Sequence, residues 1–273
     1  MQKNTFHFSS ILLFFLSLTI VSNAQEGSWE SFVVTKEKGP MLVTLNMDFH
    51  FTRPNYKNLV IVGTQTSKCL KNGYPPKDGL TSLYTFSDSI ASIINETTKA
   101  ELAGILTYQC AGYDIFYTKD TLGLRTKLTT FINSKHADSQ SYLEIKPDKR
   151  WDYFEESLVP KDLANDFFTN HEILTDLVYN GDDLTTPRNV EHWIYFRKEK
   201  RKDQFINKIR VLNFKIDSVK YNKGEYTPFE LKISRIDKVT PEAITDITNV
   251  LKTISKAYYG TYDGWGTKPE IKE

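Results

Sequence analysis

Apolar and polar positions along this chain fall into two rhythms, one of period two and one of helical spacing. Residues 29–35 read as a strand, and Lys38-Gly39-Pro40 as the turn after it. Met41, Val43, Leu45, Met47 and Phe49 then recur at every second position, which predicts a strand with one buried face continuing to Phe49. The run Leu59-Val60-Ile61-Val62 predicts a short central strand over residues 58–64. A polar loop with Gly73, Pro75 and Pro76 follows. Residues 80–98 read as a helix with Ile90, Ile93 and Ile94 on one face. Residues 102–108 and 114–118 predict a hairpin around Gly112, Leu124, Leu128, Phe131 and Ile132 predict a second helix, and residues 141–146 a closing strand. The order is ββ, then β-α-β-β-α-β. The second part is the ferredoxin-like split βαβ arrangement, whose right-handed crossovers put both helices on one face of an antiparallel sheet.

Residues 147–161 carry Trp151, Tyr153 and Phe154 among charges and lack the Gly/Ser composition of a free linker, so they read as a connector that packs. A helix over 161–179 follows, with Leu163, Phe167, Leu174 and Val178 near one face, and Asn180-Gly181 ends it in a left-handed cap. Residues 190–197 predict a strand, and a helix with a basic start runs to about Val211. Residues 214–221 and 227–235 predict strands around Lys223-Gly224. Thr240 as cap, Pro241 and Glu242 start a last helix, with Ala243, Ile247, Val250, Leu251, Ile254 and Tyr258 as its expected buried stripe. The β-α-β-β-α core again suggests a ferredoxin-like unit. The fold class is therefore α+β: two ferredoxin-like antiparallel-sheet sandwiches in tandem.

The first residues follow neither rhythm. Lys3, an apolar run over 11–21 and Ser22-Asn23-Ala24 compose a secretory signal, residues 1–24, with cleavage before Gln25. The run is too short to cross roughly 30 Å of hydrocarbon, so no membrane span is expected after cleavage. The expected location is the periplasm or the extracellular space. The expected domains are 25–150 and 151–273. Of 273 residues, 40% are hydrophobic, 13% aromatic and 25% charged, which excludes a disordered or multi-span chain. Losing Lys3 with the leader leaves 34 acidic residues and as many basic ones. That balance gives no general attraction to nucleic acid.

Export changes the reading of Cys69 and Cys110. They either pair as a disulfide, which would stabilise by roughly 4 kcal/mol in a chain-entropy treatment, or lie as two buried thiols. Neither sits in a nucleophile motif, and no clustered Cys/His pattern forms a zinc site. No phosphate-binding loop, GxSxG or HExxH is present, and no cofactor is expected.

Three segments carry a resemblance. Residues 177–184 (LVYNGDDL), 188–193 (RNVEHW) and 262–267 (YDGWGT) are similar to the regulator of ribonuclease E activity B family over about residues 160–270. The early Trp and hairpin, Gly73-Tyr74-Pro75, Thr107, residues 112–117 and Trp151-Asp152-Tyr153 resemble the domain-of-unknown-function family 695 over about residues 27–157. The first resemblance implies a non-enzymatic protein-binding module, since that family binds and inhibits a cytoplasmic endoribonuclease. An exported chain cannot meet that enzyme, so the fold is expected to carry over and the partner is not. The second family has no established activity to transfer.

Asp182, Asp183, Glu191 and His192 form the one notable polar cluster, and two carboxylates with an imidazole could hold a metal or run acid–base chemistry. Alternation argues otherwise. His192 shares a face with Val190, Ile194 and Phe196, while Glu191 faces the other way with Trp193 and Tyr195. Asp182 and Asp183 follow a helix end, where an Asx turn explains them. The glycines around Trp265 allow either a recognition surface or a terminal tuck in which Trp265 covers an open end of the core. The basic run Arg197–Lys202 reads as a solvated helix start that could attract an acidic partner. The expected role is an exported protein-binding regulator of an unknown protein, with Trp193, Tyr195, Tyr262, Asp263 and Trp265 as surface candidates and no nucleic acid bound. The alternative is a hydrolase or metal-dependent enzyme using Asp182, Asp183, Glu191 and His192.

Overall fold

A computed structural model describes residues 28–52, 54–161 and 165–271. The expected leader and Leu163 lie outside the described residues. The first sheet contains β1 (Trp29–Lys36), β2 (Gly39–Asn46), β3 (Asn58–Gln65), β4 (Ala100–Tyr108), β5 (Ala111–Thr118) and β6 (Ser141–Pro147), with α1 (Met47–Thr52), α2 (Lys77–Thr97) and α3 (Leu124–Lys135) between them. Its order is β1-β2-β4-β5-β3-β6, all antiparallel. The four strands β4-β5-β3-β6 with α2 and α3 are the ferredoxin-like unit, and the β1–β2 hairpin extends its β4 edge.

Both faces of this sheet are covered. On one, Val60, Val62 and Phe116 meet Phe86, Ile90 and Ile94 of α2 and Leu124 and Leu128 of α3. On the other, Leu59, Ile61, Ile115 and Tyr117 meet Met47, Phe49, Trp151, Phe154 and Leu158. Residues 147–161 belong to this second layer. Asp148 accepts from the Tyr117 hydroxyl at 2.6 Å and from the amide of Asp152 at 2.8 Å, which starts a π-helical turn, Phe154–Leu158. Phe49 stacks on Trp151 at 4.8 Å, whose indole N–H donates to the Tyr56 carbonyl at 2.7 Å.

Two expectations are corrected here. The strand expected to reach Phe49 ends at Asn46, whose Oδ1 accepts from the Phe49 amide at 3.0 Å and starts α1. The β4–β5 hairpin turns at Gln109-Cys110, both with positive φ (50° and 60°), and not at Gly112. That geometry ordinarily takes Asn-Gly. Here Cys110 is fixed from outside: its amide donates to the Gly73 carbonyl at 2.9 Å, and its sulfur is bonded to Cys69, with the Cα atoms 5.5 Å apart. The disulfide holds the loop 66–76 against the hairpin. The double variant Cys69→Ser/Cys110→Ser is expected to lose about 2–4 kcal/mol of stability by urea denaturation. An unchanged midpoint would mean that the bridge restrains nothing.

The second sheet contains β7 (Arg188–Phe196), β8 (Lys215–Tyr221), β9 (Phe229–Asp237) and β10 (Gly260–Gly266), with α4 (Asn165–Tyr179) preceding it and α5 (Glu199–Ile209) and α6 (Pro241–Ala257) packed on it. The order β10-β7-β9-β8 is the complete ferredoxin-like sheet. β10 was not expected as a strand. Ile194, Phe196, Leu231 and Ile233 meet Phe205, Ile209, Ile247 and Leu251 in its core. α4 ends in the expected glycine cap: Gly181 (φ 89°) donates to Val178 and Asp182 to Leu177. Thr240 caps α6 by accepting from the Ala243 amide at 3.3 Å. The buried stripe of α6 is Ile244, Ile247, Thr248, Leu251 and Ser255, so the expected Val250 lies outside it, 40% exposed.

α4 serves both sheets. Along the open edge of β1, His171 Nδ1 accepts the Val33 amide at 3.0 Å, which covers an edge N–H. Phe167 packs on Phe32 at 5.7 Å. On its other side Leu174, Leu177 and Val178 join Val190, Val239, Ile244 and Trp265 in one core that also takes in Val33, Leu42 and Tyr74 of the first unit. Asn72 donates to the carbonyls of Val178 at 2.9 Å and Asp182 at 3.0 Å across the same junction. No helix among the described residues is long and apolar enough to cross a membrane.

Candidate functional site

The segment YDGWGT is an edge strand with one extra residue. Tyr262 sits opposite Ile194, Gly264 opposite Trp193 and Trp265 opposite His192, with Asp263 left as a bulge between them. Three positions apart, Tyr262 and Trp265 would face opposite sides of a regular strand. The bulge turns both inward. Trp265 is buried and donates its indole N–H to Asn170 Oδ1 at 3.0 Å, and Asn170 donates to the Thr248 hydroxyl at 3.2 Å. Of the five expected surface residues, Trp265 is thus placed in the core, and Tyr262 is half-buried with its ring packed against it.

His192 is fully buried on the apolar face of β7. Its Nδ1 shares a hydrogen bond of 2.9 Å with the Tyr262 hydroxyl, and Phe214 meets its ring edge-on at 5.6 Å. Its Nε2 has no partner among the described residues. Burial, with a smaller push from Arg235, pulls the imidazole down to about 3, and burial raises the Tyr262 phenol. Both groups are neutral in the fold at neutral pH.

The other members of the polar cluster go elsewhere. Asp182, fully buried, holds Arg188 through both carboxylate oxygens and also accepts the amides of Leu184 and Glu270, each at 2.7 Å. Asp183 closes an Asx turn onto Thr185, accepting its amide at 2.9 Å. Glu191 faces outward and pairs with Lys232 at 2.8 Å. The structure therefore does not bring Asp182, Asp183, Glu191 and His192 together. Among the described residues, no three His, Cys, Asp or Glu side chains form a metal-holding group.

What β7 presents outward is a different assembly. Trp193 lies between Lys232 of β9 and Gly264 of β10. The Lys232 ammonium is 5.2 Å from the centre of the indole and is held by Glu191. A Cβ on Gly266 would come within 3.4 Å of the ring, and at Gly264 it would meet open space. The lack of a side chain at Gly266 leaves the Trp193 ring room to lie close to β10. Beside it Arg188, Asn189, Glu191, Gly266, Thr267 and Lys268 help to line a pocket of about 490 Å³. Tyr195 is half-buried on the same face, and Asp263 is exposed at the bulge. This face offers an aromatic plane, a fixed cation and a carboxylate, which suits recognition. Lys232, Gly264 and Gly266 were missing from the sequence reading because the cross-strand register that brings them to Trp193 is a long-range property.

Residues 169–267 match the family described as regulator of ribonuclease activity B, and residues 27–159 match the family of unknown function DUF695. No curated protein matches the chain. Among solved structures, a protein described as a glycine cleavage system transcriptional repressor is 10% identical with a TM-score of 0.22, over 79% of this chain and 100% of that one. An unknown protein from Galdieria sulphuraria is 8% identical with a TM-score of 0.20, over 76% of this chain and 96% of that one. Likenesses this slight carry no argument. The chain joins a segment of the DUF695 family, residues 27–159, to a segment of the regulator of ribonuclease activity B family, residues 169–267.

Proposed function

We propose that this protein is an exported, non-enzymatic binding module that regulates a partner protein, which it reads with the open face of β7, β9 and β10. The observation that carries the reading is Trp193, lying close to Gly266 of β10 with Lys232 and Glu191 paired beside it. A large aromatic in a sheet face with little entropy left to lose is the kind of group that anchors an interface. The family match to a regulator of ribonuclease activity supports a regulatory role. The inward placement of His192 and Asp182 supports a role without chemistry of its own. Export is supported by Lys3, the apolar run and Ser22-Asn23-Ala24, and the disulfide fits an oxidising compartment. The partner is then a protein of the periplasm or the extracellular space.

A photoreactive amino acid at position 193 tests this in cells that export the protein. The expected result is one reproducible crosslinked protein, absent when the probe sits at exposed Lys99 of the first unit. No crosslinked species, or the same one from both positions, would overturn the reading. Amino-terminal sequencing of the exported protein is expected to begin at Gln25.

A further inference from the structure

At the end of β7 the chain places Arg197 and Lys198 in a short loop and Lys200 and Arg201 in the first turn of α5. Several cations of this unit are paired with carboxylates: Lys202 with Glu199 and Asp203, Lys215 with Asp217, Lys220 with Glu230, and Arg235 with Asp237. The four at this corner have no carboxylate partner among the described residues. Two of them are held by tyrosines instead. The Arg197 guanidinium lies 3.9 Å from the ring centre of Tyr226 and donates to its hydroxyl at 2.6 Å. Arg201 lies 4.7 Å from the ring centre of Tyr259. Arg197, Lys198, Arg201 and Tyr259 line a half-open pocket of about 450 Å³.

Tyr259 is out of place by the rules of folding alone. Its φ is 57°, the left-handed conformation that glycine usually supplies just past a helix end. The residue is 73% exposed, so burial returns little for that strain. The following Gly260 has its own reason, since a Cβ there would sit 2.3 Å from the Phe196 ring. What Tyr259 does is hold a flat wall beside Arg201.

We propose that this pocket binds carboxylate side chains of an acidic segment on a partner protein. Two guanidiniums fixed against rings keep most of their donors free and lose little freedom on meeting a carboxylate. The cationic patch ends after four residues, and the pocket holds one or two side chains. A nucleic-acid strand would need a longer stripe. The proposal rests on the binding-module reading for the partner being a protein, but it concerns a separate site from Trp193.

Fluorescence anisotropy with a labelled hexaglutamate peptide and residues 25–273 tests it directly and does not need the natural partner. Failure would therefore leave the crosslinking result at position 193 untouched. The expected result is salt-sensitive binding that weakens roughly tenfold or more in Arg197→Glu/Arg201→Glu. Lys36→Glu/Lys99→Glu changes the net charge equally at exposed positions of the first unit and is expected to bind normally. Tyr259→Gly is expected to melt at a higher temperature yet bind the peptide more weakly, which a failure to fold cannot mimic. No binding, equal losses in the two charge variants, full binding by Tyr259→Gly, or tighter binding of an oligouridylate than of the peptide would overturn the proposal.

Discussion

Arg188→Met is expected to lower the unfolding free energy by about 3–5 kcal/mol, read as a shifted midpoint in urea. The change removes one partner of a pair in which both side chains are sealed from water, at 2% and 0% exposure. Asp182 would keep its bonds to the Leu184 and Glu270 amides, yet lose the cation that balances it. A charge left alone in the interior costs more than the pair contributes. Adding Asp182→Asn to Arg188→Met is therefore expected to regain part of the loss. The neutral amide can still accept a backbone N–H, and no uncompensated charge remains. A double variant less stable than the single one would mean that the carboxylate serves mainly its two amides. This pair fixes the loop between α4 and β7 to the chain around Glu270, so the loss should also loosen that end of the molecule.

Acidification gives the second large effect. His171 is pulled down to about 4 and His192 to about 3, each chiefly by burial. Both are neutral when folded, whereas an exposed imidazole titrates near 6.5. As pH falls below that value the unfolded chain takes up protons that the folded one refuses. Stability present above pH 6.5 is lost progressively until the folded histidines themselves titrate. At pH 4.5 each should remove about 2–3 kcal/mol. Asp114 works in the opposite direction. Burial, reinforced by Asp88, raises it to about 6, so the folded chain gains a proton before the unfolded one does, and offsets about 2 kcal/mol. A net loss of a few kcal/mol between pH 7 and pH 4.5 is expected in urea titrations. His192→Gln should be less stable than wild type at pH 7 but show a shallower loss. The same loss in both proteins would assign the acid sensitivity elsewhere.

The parts of the fold that follow from neighbouring residues were legible. Alternation in β7 sends His192 in and Glu191 out, and Thr240-Pro241 and Asn180-Gly181 mark helix ends by local chemistry. The failures have physical causes of longer range. Met47 and Phe49 are both buried in a helix one and a half turns long, and that burial imitates the period of a strand. Gln109-Cys110 turns against its own preference because Gly73 and Cys69 hold it. β10 was hidden because its bulge puts two inward aromatics an odd number of residues apart. Of the candidate site, the Trp193 and Tyr195 face was readable from alternation. Lys232 and Gly266 reach Trp193 through strand register, and the tyrosines beside Arg197 and Arg201 come from segments distant in sequence.

The double duty of α4 has a mechanical consequence. One helix edge closes β1 through His171 and Phe167, and the other reaches α6 and β10 through Asn170 and its two bonds. A pull between the sheets acts on α4 from both of its flanks. The load falls on the side chains packed along both flanks of the helix, so the tandem should pass tension through α4 and part when α4 is torn from one of its neighbours.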